Sequence, residues 1–180
     1  MIRVYFLIHI FFLISCINDP TIVKEYIIEE DLPIEEIKDV EITQTENGKI
    51  RMKIFANNID RFENISPNLI LYNGIRCYFF NIDSTIQAKL NSETASIDEE
   101  KRIMKASNNV RLEGMNKRVL ECDELFWNQD LNKVYTQKDV KIITDKEIIY
   151  GKGFSSNLDF TEYSIYKIRG VFNIDSDNNN

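Results

Sequence analysis

Histidine is nearly absent: the single one, His9, sits inside the leading apolar stretch, so a domain cleaved after that stretch contains none. That excludes Ser-His-Asp and Cys-His catalysis and histidine-ligated metal sites, whatever the fold. Proline is scarce, with three residues, and none follows Pro67. From there on every residue keeps the N–H that a ladder of strands needs. No basic cluster with interleaved aromatics occurs, and the net charge is −7, with 29 acidic residues against 22 basic. This argues against a nucleic-acid partner, whose phosphates would be repelled. The three cysteines show no Cys-x-x-Cys or metal-ligand spacing, so no metal and no cofactor is expected. The leading apolar run, about a dozen residues from Val4 to Ile14, falls short of the roughly 20 that cross a bilayer.

What the chain does have is isoleucine and aromatics in short runs, a composition that favours strands over helices. It also has a repeat. A turn-forming residue followed by an apolar–polar–apolar start recurs as Asp39-Val40-Glu41-Ile42, Gly74-Ile75-Arg76-Cys77, Asn109-Val110-Arg111-Leu112 and Asp139-Val140-Lys141-Ile142. A fifth, degenerate copy reads Gly170-Val171-Phe172-Asn173, as terminal repeats often do. The anchors at 40, 75, 110, 140 and 171 lie 35, 35, 30 and 31 residues apart. The reading is a backbone turn before each strand, then one dry and one wet face. Each unit also carries a return strand with the spacing Leu120-x-Cys122-x-x-Leu125-x-Trp127. Turn signals separate the strands, among them Asn47-Gly48, Glu113-Gly114 and Asn157-Leu158-Asp159. The fold class expected is all-β, an open repeating antiparallel architecture in one domain.

The chain divides into four stretches. Residues 1–15 fit a signal peptide ending at Leu13-Ile14-Ser15-Cys16, which resembles a bacterial lipobox, with Cys16 the cysteine that would be lipidated. Residues 16–33 form an acidic spacer, 34–174 the β-domain, and 175–180 a polar tail expected to be disordered. Two sheet edges are expected, near Val40 to Gln44 and near Ile165 to Ile174. The second reads apolar and uncharged through Val171, Phe172 and Ile174, a docking edge for a partner strand.

No catalytic residue stands out. Acidic groups such as Asp98-Glu99-Glu100, Glu121 with Asp123 and Glu124, and Asp159 with Glu162 have the makings of a glycosidase pair. They fall mostly at turns or on wet faces, so a small carbohydrate-active β-protein is the weakest reading. Cys77 and Cys122 hold inward positions of different repeats. An oxidising compartment permits a bridge between them, but two buried free thiols are favoured. The inward set comprises Val110, Leu112, Leu120, Leu125, Trp127, Val134, Val140, Ile142, Phe154 and Phe160. A packed core explains most of it. An apolar trough for acyl chains, lined by Val110, Leu112, Leu120, Leu125, Trp127, Val140, Ile142 and Phe154, needs the same residues.

The run Lys105-Ala106-Ser107-Asn108-Asn109-Val110-Arg111-Leu112-Glu113-Gly114, then Leu120-Glu121-Cys122-Asp123-Glu124-Leu125-Phe126-Trp127-Asn128, carries a likeness. So do Lys138-Asp139-Val140 and Tyr150-Gly151-Lys152-Gly153-Phe154 in the next unit. With the export signal and short spacer they resemble the LptC family of lipopolysaccharide-export proteins, of the OstA-like superfamily. The resemblance spans about Val40 to Ile174. It implies a twisted, open β-jellyroll with an apolar interior, and a non-catalytic role. Lipopolysaccharide would arrive from an inner-membrane LptBFG-type ABC transporter and pass to an LptA-like periplasmic bridge. The bridge would meet the C-terminal edge and the transporter's jellyroll the N-terminal one. Many family members keep a transmembrane helix, whereas this chain points to a lipid on Cys16; the inner membrane is the expected anchor, with the outer one still open. The rival reading is a structural or adhesive lipoprotein with a solid core and no lipid cargo.

Overall fold

The computed structural model describes residues 32–174. The signal segment, the lipobox with Cys16, all of the spacer but Leu32 and Pro33, and the tail 175–180 lie outside the described residues. Ten strands follow one another: β1 (Glu35–Glu46), β2 (Lys49–Arg61), β3 (Leu69–Phe80), β4 (Ile86–Ser92), β5 (Thr94–Asp98), β6 (Ile103–Gly114), β7 (Val119–Asn128), β8 (Lys133–Ile143), β9 (Glu147–Asn157) and β10 (Tyr163–Asn173). They form one antiparallel sheet ordered β1-β2-β3-β4-β6-β7-β8-β9-β10. β5 pairs with β3 and β6, the same neighbours as β4, so β4 and β5 are one strand broken at Glu93. No helix occurs among the described residues.

The repeated motif is present, but it does not open strands. Asp39, Gly74, Asn109, Asp139 and Gly170 all lie inside strands, toward the middle of β1, β3, β6, β8 and β10. At the last four of these the ladder slips: Ser107 to Val110 on β6 spans three steps where Glu124 to Cys122 on β7 spans two, and Thr136 to Asp139 on β8 is likewise opposite Phe154 to Lys152 on β9; β1 keeps its register across Asp39. These are β-bulges, one extra residue that bends the strand. Asp39, Asn73, Gly74, Asn108 and Asn109 take positive φ, a conformation that glycine, Asn and Asp tolerate best. Asparagine amides tie the bend to its neighbours: Asn57 Nδ2 donates to the Asn73 backbone carbonyl at 2.7 Å, and Asn109 Nδ2 to the Glu93 side-chain carboxylate. The motif therefore marks a crease that runs across the sheet. The return strand bends at the same level, and its spacing Leu120-x-Cys122-x-x-Leu125 is the change of phase there.

Bending folds the sheet onto itself. Leu69, Ile97, Met104 and Trp127 form one row of cross-strand partners. Phe79 sits ten residues beyond Leu69 on β3, about 33 Å away were the strand straight. Yet the Phe79 and Trp127 rings meet edge to face with centroids 4.8 Å apart. The two halves of the strands are thus two layers around a shared interior, an open jellyroll. A single apolar core fills it, running from Met52 through Ile75, Leu112 and Ile142 to Phe160. The β9–β10 loop seals part of the seam where layer ends meet, with Phe160 fully buried beside Gly114 and its carbonyl accepting from Arg118 Nη1 at 2.6 Å. Leu158, read in the sequence as a turn residue, is buried here too.

Candidate functional site

All eight residues expected to line a trough face the shared interior. Leu112, Leu120 and Ile142 are partners in one row, Val110, Cys122 and Val140 in the next, and Leu125, Trp127 and Phe154 lie beyond the crease. They are brought together, but as a filled core and not as an open trough: each retains 9% or less of its surface. The reason is the bend itself, which presses the layers into contact along the crease. Val134 and Phe160 are buried with them.

The interior approaches solvent at the lip where the layer ends meet. A recess of about 350 Å³ opens there, with Phe79, Trp127 and Leu158 as its apolar floor. Its rim carries Arg51 from β2 and Arg102 from the β5–β6 turn. One side-chain hydrogen bond spans it, from Gln44 Nε2 on β1 to Gln129 Oε1 in the β7–β8 turn at 3.2 Å. Trp127 Nε1 is the one buried side-chain nitrogen or oxygen with no hydrogen-bond partner among the described residues. An orphaned buried donor costs about 1–3 kcal/mol, and one kept in a native fold calls for an explanation. Sequence reasoning found Trp127 but missed Phe79, although Ile75-x-Cys77-x-Phe79 has the period of a buried strand face. Gln44 and Gln129 left no local signal, since only the folding-over brings them together.

Both expected edges exist. β1 and β10 each have one neighbour, so the sheet does not close. On β10, Tyr166, Ile168, Val171 and Phe172 are exposed, as is Ile174 just beyond it. The expected lack of charge holds for Val171 to Ile174 but not for the strand as a whole, which carries Lys167 and Arg169 and no acid. β1 is the opposite: five acids, Glu35, Glu36, Asp39, Glu41 and Glu46, against Lys38 alone.

The acidic groups are engaged structurally. Glu121 accepts from Lys141 Nζ at 3.0 Å and from Arg111 Nη1 at 2.5 Å, a ladder across three strands that holds its carboxyl below the ordinary range. Asp159 closes its own turn onto Thr161. Asp98, expected at a wet turn, is instead largely buried. Lys101 Nζ donates to it at 2.8 Å, as do the Ser66 hydroxyl and the Lys101 backbone N–H, and these hold its pKa at about 2. Its folded value is below its ordinary 3.8, so the stability it contributes is complete above that range and lost as pH falls toward 2. Denaturant melts should therefore show Asp98→Asn less stable than the native chain at pH 6, with the gap closing between pH 4 and pH 2. A gap unchanged across that window would show the carboxylate to be irrelevant. Cys77 and Cys122 are free. Burial pushes both thiols up, Cys122 to about 12, so neither is an activated nucleophile.

Fold and site together define a non-closing β-jellyroll with an apolar interior and two unlike free edges. The chain matches the family model described as lipopolysaccharide-assembly, LptC-related, over residues 6–173, and it belongs to that family. The family description places it in lipopolysaccharide assembly. Among solved structures, LptH of Pseudomonas aeruginosa, the LptA-homologous periplasmic component of the lipopolysaccharide transport device, is similar at 10% identity and a TM-score of 0.42, over 81% of this chain and 96% of that one. None of the curated proteins matches the chain.

Proposed function

We propose that this chain is a non-catalytic relay, tethered to the inner membrane through a lipid on Cys16. It accepts lipopolysaccharide from an LptBFG-type ABC transporter at the β1 edge and hands it to an LptA-like bridge at the β10 edge. The acyl chains travel through the interior lined by Val110, Leu112, Leu120, Leu125, Trp127, Val140, Ile142 and Phe154. The observation that carries the reading is the open sheet: a continuous apolar interior ends at two unpaired strands of opposite charge. Burial drives acyl binding at about 0.8 kcal/mol per methylene, enough to hold a chain without any chemistry. Passage requires the two layers to part, since the interior is filled by its own side chains.

A photo-crosslinking residue placed at Leu112, Leu125 or Ile142 is expected to capture lipopolysaccharide in cells, and one at Arg111 or Lys141 is not. Capture confined to the outward pair would refute the relay. The filled core favours one alternative, a structural lipoprotein that offers only its edges. On that reading the three inward positions capture no lipid, and an apolar fluorescent probe is not taken up.

A further inference from the structure

We propose that the lip recess is a subsite for the phosphorylated, acylated end of lipopolysaccharide, with an acyl carbonyl on the Trp127 indole N–H and a phosphate between Arg51 and Arg102. The proposal rests on the relay reading and adds where on the molecule the head of the cargo is held. Three observations converge on the recess. The first is the unpartnered indole: a donor, on a residue nine-tenths buried, in the floor of a recess that reaches solvent. A purely hydrocarbon cargo leaves that N–H as it is, whereas the ester or amide that links an acyl chain to its sugar supplies an acceptor. The second is the floor, where Phe79 and Leu158 offer apolar surface continuous with the core for the first methylenes.

The third is the rim. Arg51 and Arg102 are held by Glu46 at 3.3 Å and by Asp130 at 2.6 Å, and both carboxylates are exposed. Exposed pairs of this kind are weak, so a doubly charged phosphate that accepts in fork geometry displaces them. Between rim and floor stands the single neutral bond from Gln44 to Gln129. Parting it separates β1 from the β7–β8 turn and opens the indole to the incoming head. The same lip that this bond closes is thereby the place where the head of the cargo is recognised.

Trp127 is the chain's sole tryptophan, so its emission reports this recess and nothing else. The full-length protein, purified from cells in mild detergent, is titrated with lipopolysaccharide, with lipopolysaccharide stripped of its lipid phosphates, and with phosphatidylglycerol. Intact lipopolysaccharide should shift the emission saturably. The paired variant Arg51→Gln, Arg102→Gln should bind at least tenfold more weakly, and the stripped ligand should not distinguish the variant from the native chain. Phosphatidylglycerol binding as tightly as lipopolysaccharide overturns the assignment to lipopolysaccharide. Lipopolysaccharide captured at Leu112 with unmoved emission, or with native affinity in the arginine variant, overturns the subsite and leaves the relay standing. Failure of every form to retain lipopolysaccharide overturns both.

Discussion

Phe172→Asp combined with Ile174→Asp is expected to abolish docking of a bridge strand on β10 while leaving the fold intact. Both side chains are more than 40% exposed, so neither carboxylate is forced into the core. Phe172 loses one edge-to-face contact with Tyr150, centroids 5.8 Å apart, worth about 0.5–1.5 kcal/mol. For a domain of this size that lowers Tm by roughly 4 °C. The docked state suffers far more, because an added strand would bury both positions and strand two unpaired carboxylates against apolar partners. An aromatic anchor at such a contact is commonly worth 2 kcal/mol or more. Together the changes should cost about 3–4 kcal/mol, or roughly 100- to 1,000-fold in affinity. The measurement is binding of a purified LptA-like partner to the immobilised native and variant chains, with Ile37→Asp on β1 as a control that leaves this affinity unchanged. Because β10 carries Lys167 and Arg169 without an acid, native docking to an acidic edge should also weaken as salt rises. A double variant that binds like the native chain would remove β10 as the docking edge.

How much of this was legible in the sequence depends on whether the information is local. Each of the ten inward residues is buried; for the nine on strands, apolar–polar alternation states a face without reference to the rest of the fold, whereas Phe160 lies in the β9–β10 loop. The five-fold recurrence was equally local, and the spacing correctly marks the strands β1, β3, β6, β8 and β10. Its meaning was not. A residue that accepts positive φ serves a turn before a strand and a bulge within one equally well. What decides between them at Asn108-Asn109 is the slip against Glu124 and Cys122, a fact about the neighbouring strand. The lip is less legible still. Gln44 and Gln129 meet across 85 residues only because the sheet folds over at the crease, and neither stands out where it occurs. Likewise a filled interior and a trough require the same side chains; they differ in the separation of two layers, which no residue pattern encodes.

The crease also explains where the fold is most vulnerable. Gly153→Val is expected to destabilise the protein by about 2–5 kcal/mol and to loosen β10 first. Gly153 lies inside β9 with φ of +76°; an L-residue held in that region costs about 1–2 kcal/mol, more when β-branched. A Cβ there would stand 2.6 Å from Tyr166 Cδ2 on β10. Tyr166 is on the exposed edge and can swing outward, so the overlap adds about 1–3 kcal/mol and not more. Gly151, two residues earlier, is equally tight, with a Cβ placed 2.4 Å from Ile165 Cγ2 and 3.0 Å from the Lys167 carbonyl oxygen. The two glycines let β10 cross its own bulge at Ile168 and Gly170 while staying hydrogen-bonded to β9. Strain at Gly153 should therefore be relieved by peeling the edge strand away before the rest unfolds. Amide exchange ought to show this as lost protection across residues 163–173, with docking lost in parallel, alongside a Tm lower by roughly 10 °C. Gly74→Val is the matched control, since that glycine has φ of +99° but nothing within 4 Å of an added Cβ. It carries the conformational cost alone and should spare β10. Equal losses at the two positions would show that backbone strain, and not the close approach of the docking strand, governs the effect. A Gly153→Val chain that keeps both its stability and its partner would overturn the view that β10 hangs on these two glycines.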